Sequence, residues 1–154
     1  MSAAARRWLL EQLGAYRTAA PGDEERHARL TAFVTAHPDC FSRTHGEGHV
    51  VASAWVVDLG RKHVLLHHHR RLGRWMQFGG HVDPEDADVL AAARRELAEE
   101  AGLTDAPGVG EGIFDLDVHP IPATPKEAAH LHFDVRFAFE ADSGAPPASP
   151  EFLE

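Results

Sequence analysis

Three glutamates, Glu96, Glu99 and Glu100, lie near the end of an alanine-rich stretch running from about Asp86 to Ala101. If that stretch is helical they stand at i, i+3 and i+4, so their carboxylates share one face. Two carboxylates about 5 Å apart repel by roughly 3 kcal/mol at an effective dielectric of 20. A partly buried trio must therefore protonate, spread apart or bind cations. Hard oxygen donors of this kind suit Mg2+ or Mn2+. On a helix taken alone, a merely solvated acidic face is the commoner arrangement, but such faces tend to mix signs. Here Glu96 and Glu100 have no basic residue on their face, and Arg95 with Glu99 is the single opposite pair. Asp88 and Ala92 fall on nearly the same face. Val89, Ala93, Leu97 and Ala101 form a separate apolar stripe, so the acidic face is expected to point away from the core.

The surroundings of the glutamates carry further information. Gly79-Gly80 ends a β-rich run, an acidic turn from His81 to Asp86 follows, and Gly102 stops the helix. The run Arg95-Glu96-Leu97-Ala98-Glu99-Glu100-Ala101-Gly102-Leu103 resembles the end of the Nudix box, Arg-Glu-apolar-x-Glu-Glu-x-Gly-apolar, at every defined position. The upstream half departs from that pattern. The gap between Gly80 and Arg95 is one residue longer, and Asp86 stands in for the expected glutamate unless the turn carries an insertion near Asp83-Pro84.

Resemblance to the Nudix hydrolase superfamily covers about Val50 to Phe139 and implies an α/β/α sandwich around a mixed sheet. It implies Glu96 and Glu100 as metal ligands, Glu99 as a further ligand or partner of metal-bound water, and the Gly79 carbonyl completing the set. Arg95 would orient the carboxylates. The implied cofactor is Mg2+ or Mn2+, and the implied activity is hydrolysis of a diphosphate linkage in a small nucleotide-like molecule. For a general base the family pattern points to Glu151, with Glu140 and Glu154 behind it and Glu127 as the alternative. Family members often form homodimers. A noncatalytic module binding a nucleotide metabolite is the second reading. A third is isopentenyl diphosphate isomerase chemistry, which needs a catalytic cysteine, whereas Cys40 lies outside the box and is expected to be structural.

The elements that would position these groups can be read from pattern. Leu9, Leu13 and Tyr16 mark a first helix from about Ala3 to Tyr16. Asp23 caps a second, which runs to Ala36 and is stopped by His37-Pro38. Residues 1–39 thus read as a helical extension and 40–154 as the Nudix domain, with 142–154 a loop-like tail. By the family pattern a further strand and helix would follow; either the N-terminal pair replaces that helix or the sequence is incomplete there. Val50–Val57 and His63–His68 read as a hairpin around Leu59–Lys62, and Ile113–Val118 and Leu131–Phe139 as two more strands separated by a loop containing Pro120, Pro122 and Pro125. In the last strand Leu131, Phe133, Val135 and Phe137 alternate with His132, Asp134 and Arg136. The polar set is either a solvent-facing ladder or a pocket lining, with Arg136 the preferred phosphate contact. His81, next to the glycine pair, is the other expected substrate contact. Trp75 is expected in the core.

Bulk properties narrow the rest. A chain of 154 residues fits one ordinary domain. One cysteine excludes an internal disulfide and a multi-cysteine metal site. Net charge −9 argues against a nucleic-acid polymer as partner, while a cation could still bridge a small phosphorylated one. There is no membrane span and no export signal, so the cytoplasm is the expected location. Twelve histidines are unusual. His45-Gly46-Glu47-Gly48-His49 could supply half of a zinc site, and His67–His69 alternates so that two rings could converge, but a glycine-containing loop has no fixed helical spacing and zinc is the disfavoured reading.

Overall fold

The computed structural model describes residues 3–18, 20–69, 73–110, 112–125 and 127–142. Helix α1, Ala3–Ala15, buries Ala5, Leu9 and Leu13, and α2, Asp23–Ala36, buries Leu30, Phe33 and Val34. Gly22 takes the left-handed conformation at the α2 cap position, φ 83°. Asp23 therefore sits inside the first turn instead of capping it. Its carboxylate accepts the Ala20 N–H at 2.7 Å and pairs with Arg26. His37, ahead of Pro38, is extended and ends the helix as expected.

The sheet is built on β1, Gly48–Asp58. One edge pairs in parallel with β7, His130–Ala141, along its whole length. Its other edge is shared: β5, Phe78–His81, pairs with Val51–Ala54, and β2, Val64–Leu65, pairs with Val56 and Val57. Strand β6, Asp115–Ile121, adds antiparallel to the outer edge of β7. The result is a mixed five-stranded sheet. A separate ribbon joins β3, His67–His69, to β4, Arg74–Met76. The run His63–His68 thus breaks between two sheets instead of forming one strand. Strand β6 continues through Pro120, which was expected in a loop; its missing N–H is tolerated because the strand is an edge. Trp75 is 68% exposed on β4, against the expectation that it is core.

Strand alternation divides the sheet into two unlike faces. Val50, Ala52, Ala54 and Val56 share one with Phe133, Val135, Phe137, Phe139 and Phe78, all buried. All three described helices reach this face. Phe33 of α2 stacks on Phe133 with ring centroids 3.8 Å apart, and Trp8 of α1 meets Phe137 at 6.4 Å. From α3, Val89–Ala101, Arg94 lies 5.0 Å above the Phe139 ring. The N-terminal helices therefore share one hydrophobic core with the sheet. Each fully buried Phe or Leu there contributes about 1.5–3 kcal/mol. The opposite face carries His49, Ser53, His81, Asp115, Asp117, His119, His130, His132, Asp134 and Arg136.

Candidate functional site

Helix α3 begins at Val89, three residues later than the sequence pattern suggested, because Asp88 is its N-cap: its Oδ1 accepts the Ala91 N–H at 2.8 Å. That role removes Asp88 from the acidic face. Gly102 closes the helix in the left-handed conformation, its N–H donating to the Ala98 carbonyl at 3.0 Å.

The acidic face does not point away from the core. It is turned toward β5, and Ala92, expected beside the glutamates, is buried. Glu100 Oε2 accepts the Gly79 N–H at 3.0 Å. Glu96 lies so close to Gly80 that a Cβ there would collide with its Oε1. At Gly79, φ is 149° and a Cβ would sit 2.5 Å from the Ala52 carbonyl oxygen. Gly79 is thus required by the close approach of its strand to β1, while a side chain at Gly80 would push the Glu96 carboxylate away from the strand.

Arg95 holds this face together. Its Nε and Nη2 donate to the two oxygens of Asp86 at 3.1 and 3.0 Å, its Nη1 to Glu96 at 2.9 Å and Glu99 at 3.2 Å, and its Nη2 also to the His81 carbonyl at 2.9 Å. Glu96 therefore does have a basic partner, one that adjacent numbering on a helix had hidden. Asp86 gains a definite role, since its fork with Arg95 and its acceptance of the Asp83 N–H at 2.8 Å tie the lengthened loop to the helix. Burial raises the Glu96 carboxyl above its usual range, with Arg95 offsetting part of the shift, and its side chain is only 14% exposed. Glu99 is the exposed member at 59%. Carboxylates partly desolvated around a single guanidinium, beside a backbone glycine, fit a hard divalent ion: its charge would remove the penalty that burial places on Glu96.

On the opposite face Arg136 is held by three aspartates. Its Nε, Nη1 and Nη2 each donate at 2.8 Å, to Asp134, Asp115 and Asp117 respectively. The Asp134–Arg136 pair is a buried ion network across β6 and β7 and not a simple ladder. His132 lies there among other imidazoles, 4.9 Å from His49 and 5.8 Å from His81 between ring centroids. The loop motif is divided: His45 turns to His37, Nε2 to Nδ1 3.1 Å, while His49 enters the sheet. His67 packs on Phe78, centroids 5.3 Å apart. Sequence reading missed the aspartates of β6 and the gathering of His49, His119 and His130 with His132; the alternation of β6 was the available signal.

Glu151 and Glu154 lie outside the described residues. Glu127 is exposed and 3.5 Å from Arg43, and Glu140 pairs with Arg61 at 2.8 Å. Cys40 is fully buried in the core cluster, as expected. Burial pushes its thiol up to about 11, with Arg6 offsetting part. Its folded pKa exceeds the unfolded one, so stability is fully present below about pH 9 and falls as pH rises toward 11, by about 3 kcal/mol. A thiol-reactive disulfide at pH 8 should leave the native protein unlabelled and react at once after unfolding. Rapid labelling of native protein would contradict the burial and revive a catalytic cysteine.

The sequence matches the NUDIX domain family over residues 47–154. Among solved structures, a C. elegans Ap4A hydrolase binary complex superposes with TM-score 0.50 at 20% identity, over 67% of this chain and 73% of that one. A MutT/nudix family protein from Enterococcus faecalis gives 0.49 at 17% identity, over 90% of this chain and 55% of that one. A NUDIX family hydrolase from Clostridium perfringens gives 0.41 at 23% identity, over 64% and 76%. No curated protein matches.

Proposed function

Because the chain belongs to the Nudix hydrolase family, we propose that it is a metal-dependent diphosphohydrolase acting on a small nucleotide-like molecule. Glu96, Glu99, Glu100 and the Gly79 carbonyl would hold Mg2+ or Mn2+. The observation that carries this reading is the docking of the acidic helix face onto the Gly79-Gly80 strand, through the Glu100–Gly79 hydrogen bond and the Glu96–Gly80 approach. A bound divalent ion supplies charge neutralisation for the phosphate oxygens and acidifies water.

The chain's own residues do the rest. In the net reaction a water oxygen bonds to one phosphorus, the bridging P–O bond breaks with its electron pair going to the departing phosphate, and the water proton passes to a base. Arg95 fixes the orientations of Glu96 and Glu99 and ties them to the loop. Glu99, the exposed glutamate, is assigned as the water partner, and Glu151 as the base by family pattern. His81, two residues past Gly79, and His132 are assigned to substrate contact. Asp134 is assigned to hold Arg136, which then acts as a fixed part of the sheet face. A charge of −9 leaves a small phosphorylated molecule as the favoured partner over a nucleic-acid polymer. Among the described residues no helix is long and apolar enough to cross a membrane.

The test is a panel of nucleoside triphosphates, dinucleoside polyphosphates, ADP-ribose and nucleotide sugars, each with Mg2+, Mn2+ or a chelator. At least one member should be split between phosphorus atoms in a cation-dependent manner. Silence across the panel, or turnover unaffected by chelation, would reject the proposal.

A further inference from the structure

The imidazole cluster lies away from the carboxylates. Alternation along β5 sends Gly80 toward α3 and His81 to the other face of the sheet, where it joins His49 of β1 and His132 of β7. One ring nitrogen from each of these three residues lies within 4.8 Å of the others. His49 is 2% exposed, and neither of its ring nitrogens has a hydrogen-bond partner among the described residues. A neutral imidazole has one donor and one acceptor, so leaving both unused in the interior is costly unless something else occupies them. We propose that His49, His81 and His132 form a second metal site, for a borderline divalent transition ion such as Zn2+, on the sheet face opposite α3.

The chemistry of the cluster matches that ion. Imidazole is a ligand for Zn2+, whereas Mg2+ prefers the oxygens across the sheet. Tetrahedral Zn2+ with bonds of about 2.1 Å puts ligand nitrogens about 3.4 Å apart, against an upper limit of 4.8 Å between the three nitrogens here. Ligation also requires neutral rings. Burial and the neighbouring imidazoles pull His49 down to about 4 and His132 down to about 3, the direction that favours neutral rings. His119, whose Nδ1 is 3.2 Å from the Asp117 carboxylate, has the carboxylate-oriented form common in metal sites, and its ring centroid is 5.6 Å from that of His132. His130 lies 5.3 Å from His132 on the same basis. Either could take the fourth position, as could water. His37, Asp39 and His45 form another grouping, but it is less buried than His49 and its two imidazoles already bond to each other.

The site shares His81 and His132 with the substrate contacts assigned above, but its test needs no substrate and is read out separately from hydrolysis. The full chain, stripped with chelator, is titrated with Zn2+ by calorimetry and with Co2+ by visible absorption. Wild type should bind one equivalent at the imidazole site and show the strong visible bands of tetrahedral Co2+. His81→Ala and His132→Ala should each weaken binding at least about 100-fold, more than the loss of an outer partner costs. Glu100→Gln should leave the affinity unchanged. Circular dichroism checks folding, and His81→Gln, at a half-buried position, serves if His132→Ala does not fold. Wild-type affinity in the His81 variants, absence of Zn2+ binding at micromolar concentration, or binding lost instead in His45→Ala would each overturn the proposal.

Discussion

Glu100→Gln should reduce cation-dependent hydrolysis at least about 100-fold while the protein stays folded. The reason lies in what glutamine keeps and what it removes. A glutamine carbonyl oxygen can still accept the Gly79 N–H, now 3.0 Å from Glu100 Oε2, so the helix stays docked on β5. What disappears is one negative charge and one strong donor to a hard cation. Losing an outer partner of a metal site costs 10- to 100-fold, roughly, and losing a ligand should cost at least as much. Removing one carboxylate from a like-charged group also relieves repulsion, so the thermal midpoint should stay level or rise. Measuring product release and melting temperature on one preparation separates the effects. Wild-type turnover in this variant would remove Glu100 from the metal site.

Arg95→Met should lower both stability and activity, and divalent cations should restore part of the first but little of the second. Arg95 is the only cation bonded to Asp86, Glu96 and Glu99 among the described residues, and it also bonds the His81 carbonyl. Removing one partner of a buried ion pair costs more than the pair contributes. Asp86 and Glu96 are largely shielded while Glu99 is exposed and screened, so the expected loss is about 2–3 kcal/mol. Millimolar Mg2+ should raise the melting temperature of the variant more than that of wild type, since it replaces the missing charge. Turnover should remain roughly 10- to 100-fold down because the carboxylates are no longer oriented. Arg95→Lys should recover part of the stability and little activity: one ammonium cannot reproduce the fork on Asp86 while reaching Glu96 and the His81 carbonyl. Unchanged melting and turnover in Arg95→Met would show that the network is incidental.

The two variants probe different layers of one arrangement. The lengthened turn between Gly80 and Arg95 departs from the family pattern, yet it brings Asp86 against Arg95 at about hydrogen-bond distance in two places. In that turn a shorter acid, Asp86, grips the arginine. The cluster on the far face belongs to another chemistry, with nitrogen donors in place of oxygen and with burial holding them neutral.

What the sequence by itself determined is what depends on neighbours along the chain. Spacing on one helix put Glu96, Glu99 and Glu100 on a common face, the glycine stop at 102 marked its end, and the alternation in 131–137 separated apolar from polar residues. Helical and extended periodicities are local, so these features needed no knowledge of the fold. Tertiary structure decided which way the acidic face turned, because that depends on how α3 seats against two glycines of a strand sixteen and twenty-one residues before the glutamates they meet. It also decided the partners of Arg136 and His49. Those follow from the register of β7 between β1 and β6, which sets Arg136 opposite Asp115 and His132 opposite both His49 and His119. Strand register across long separations is fixed by the fit of the whole buried face, and no local window contains it.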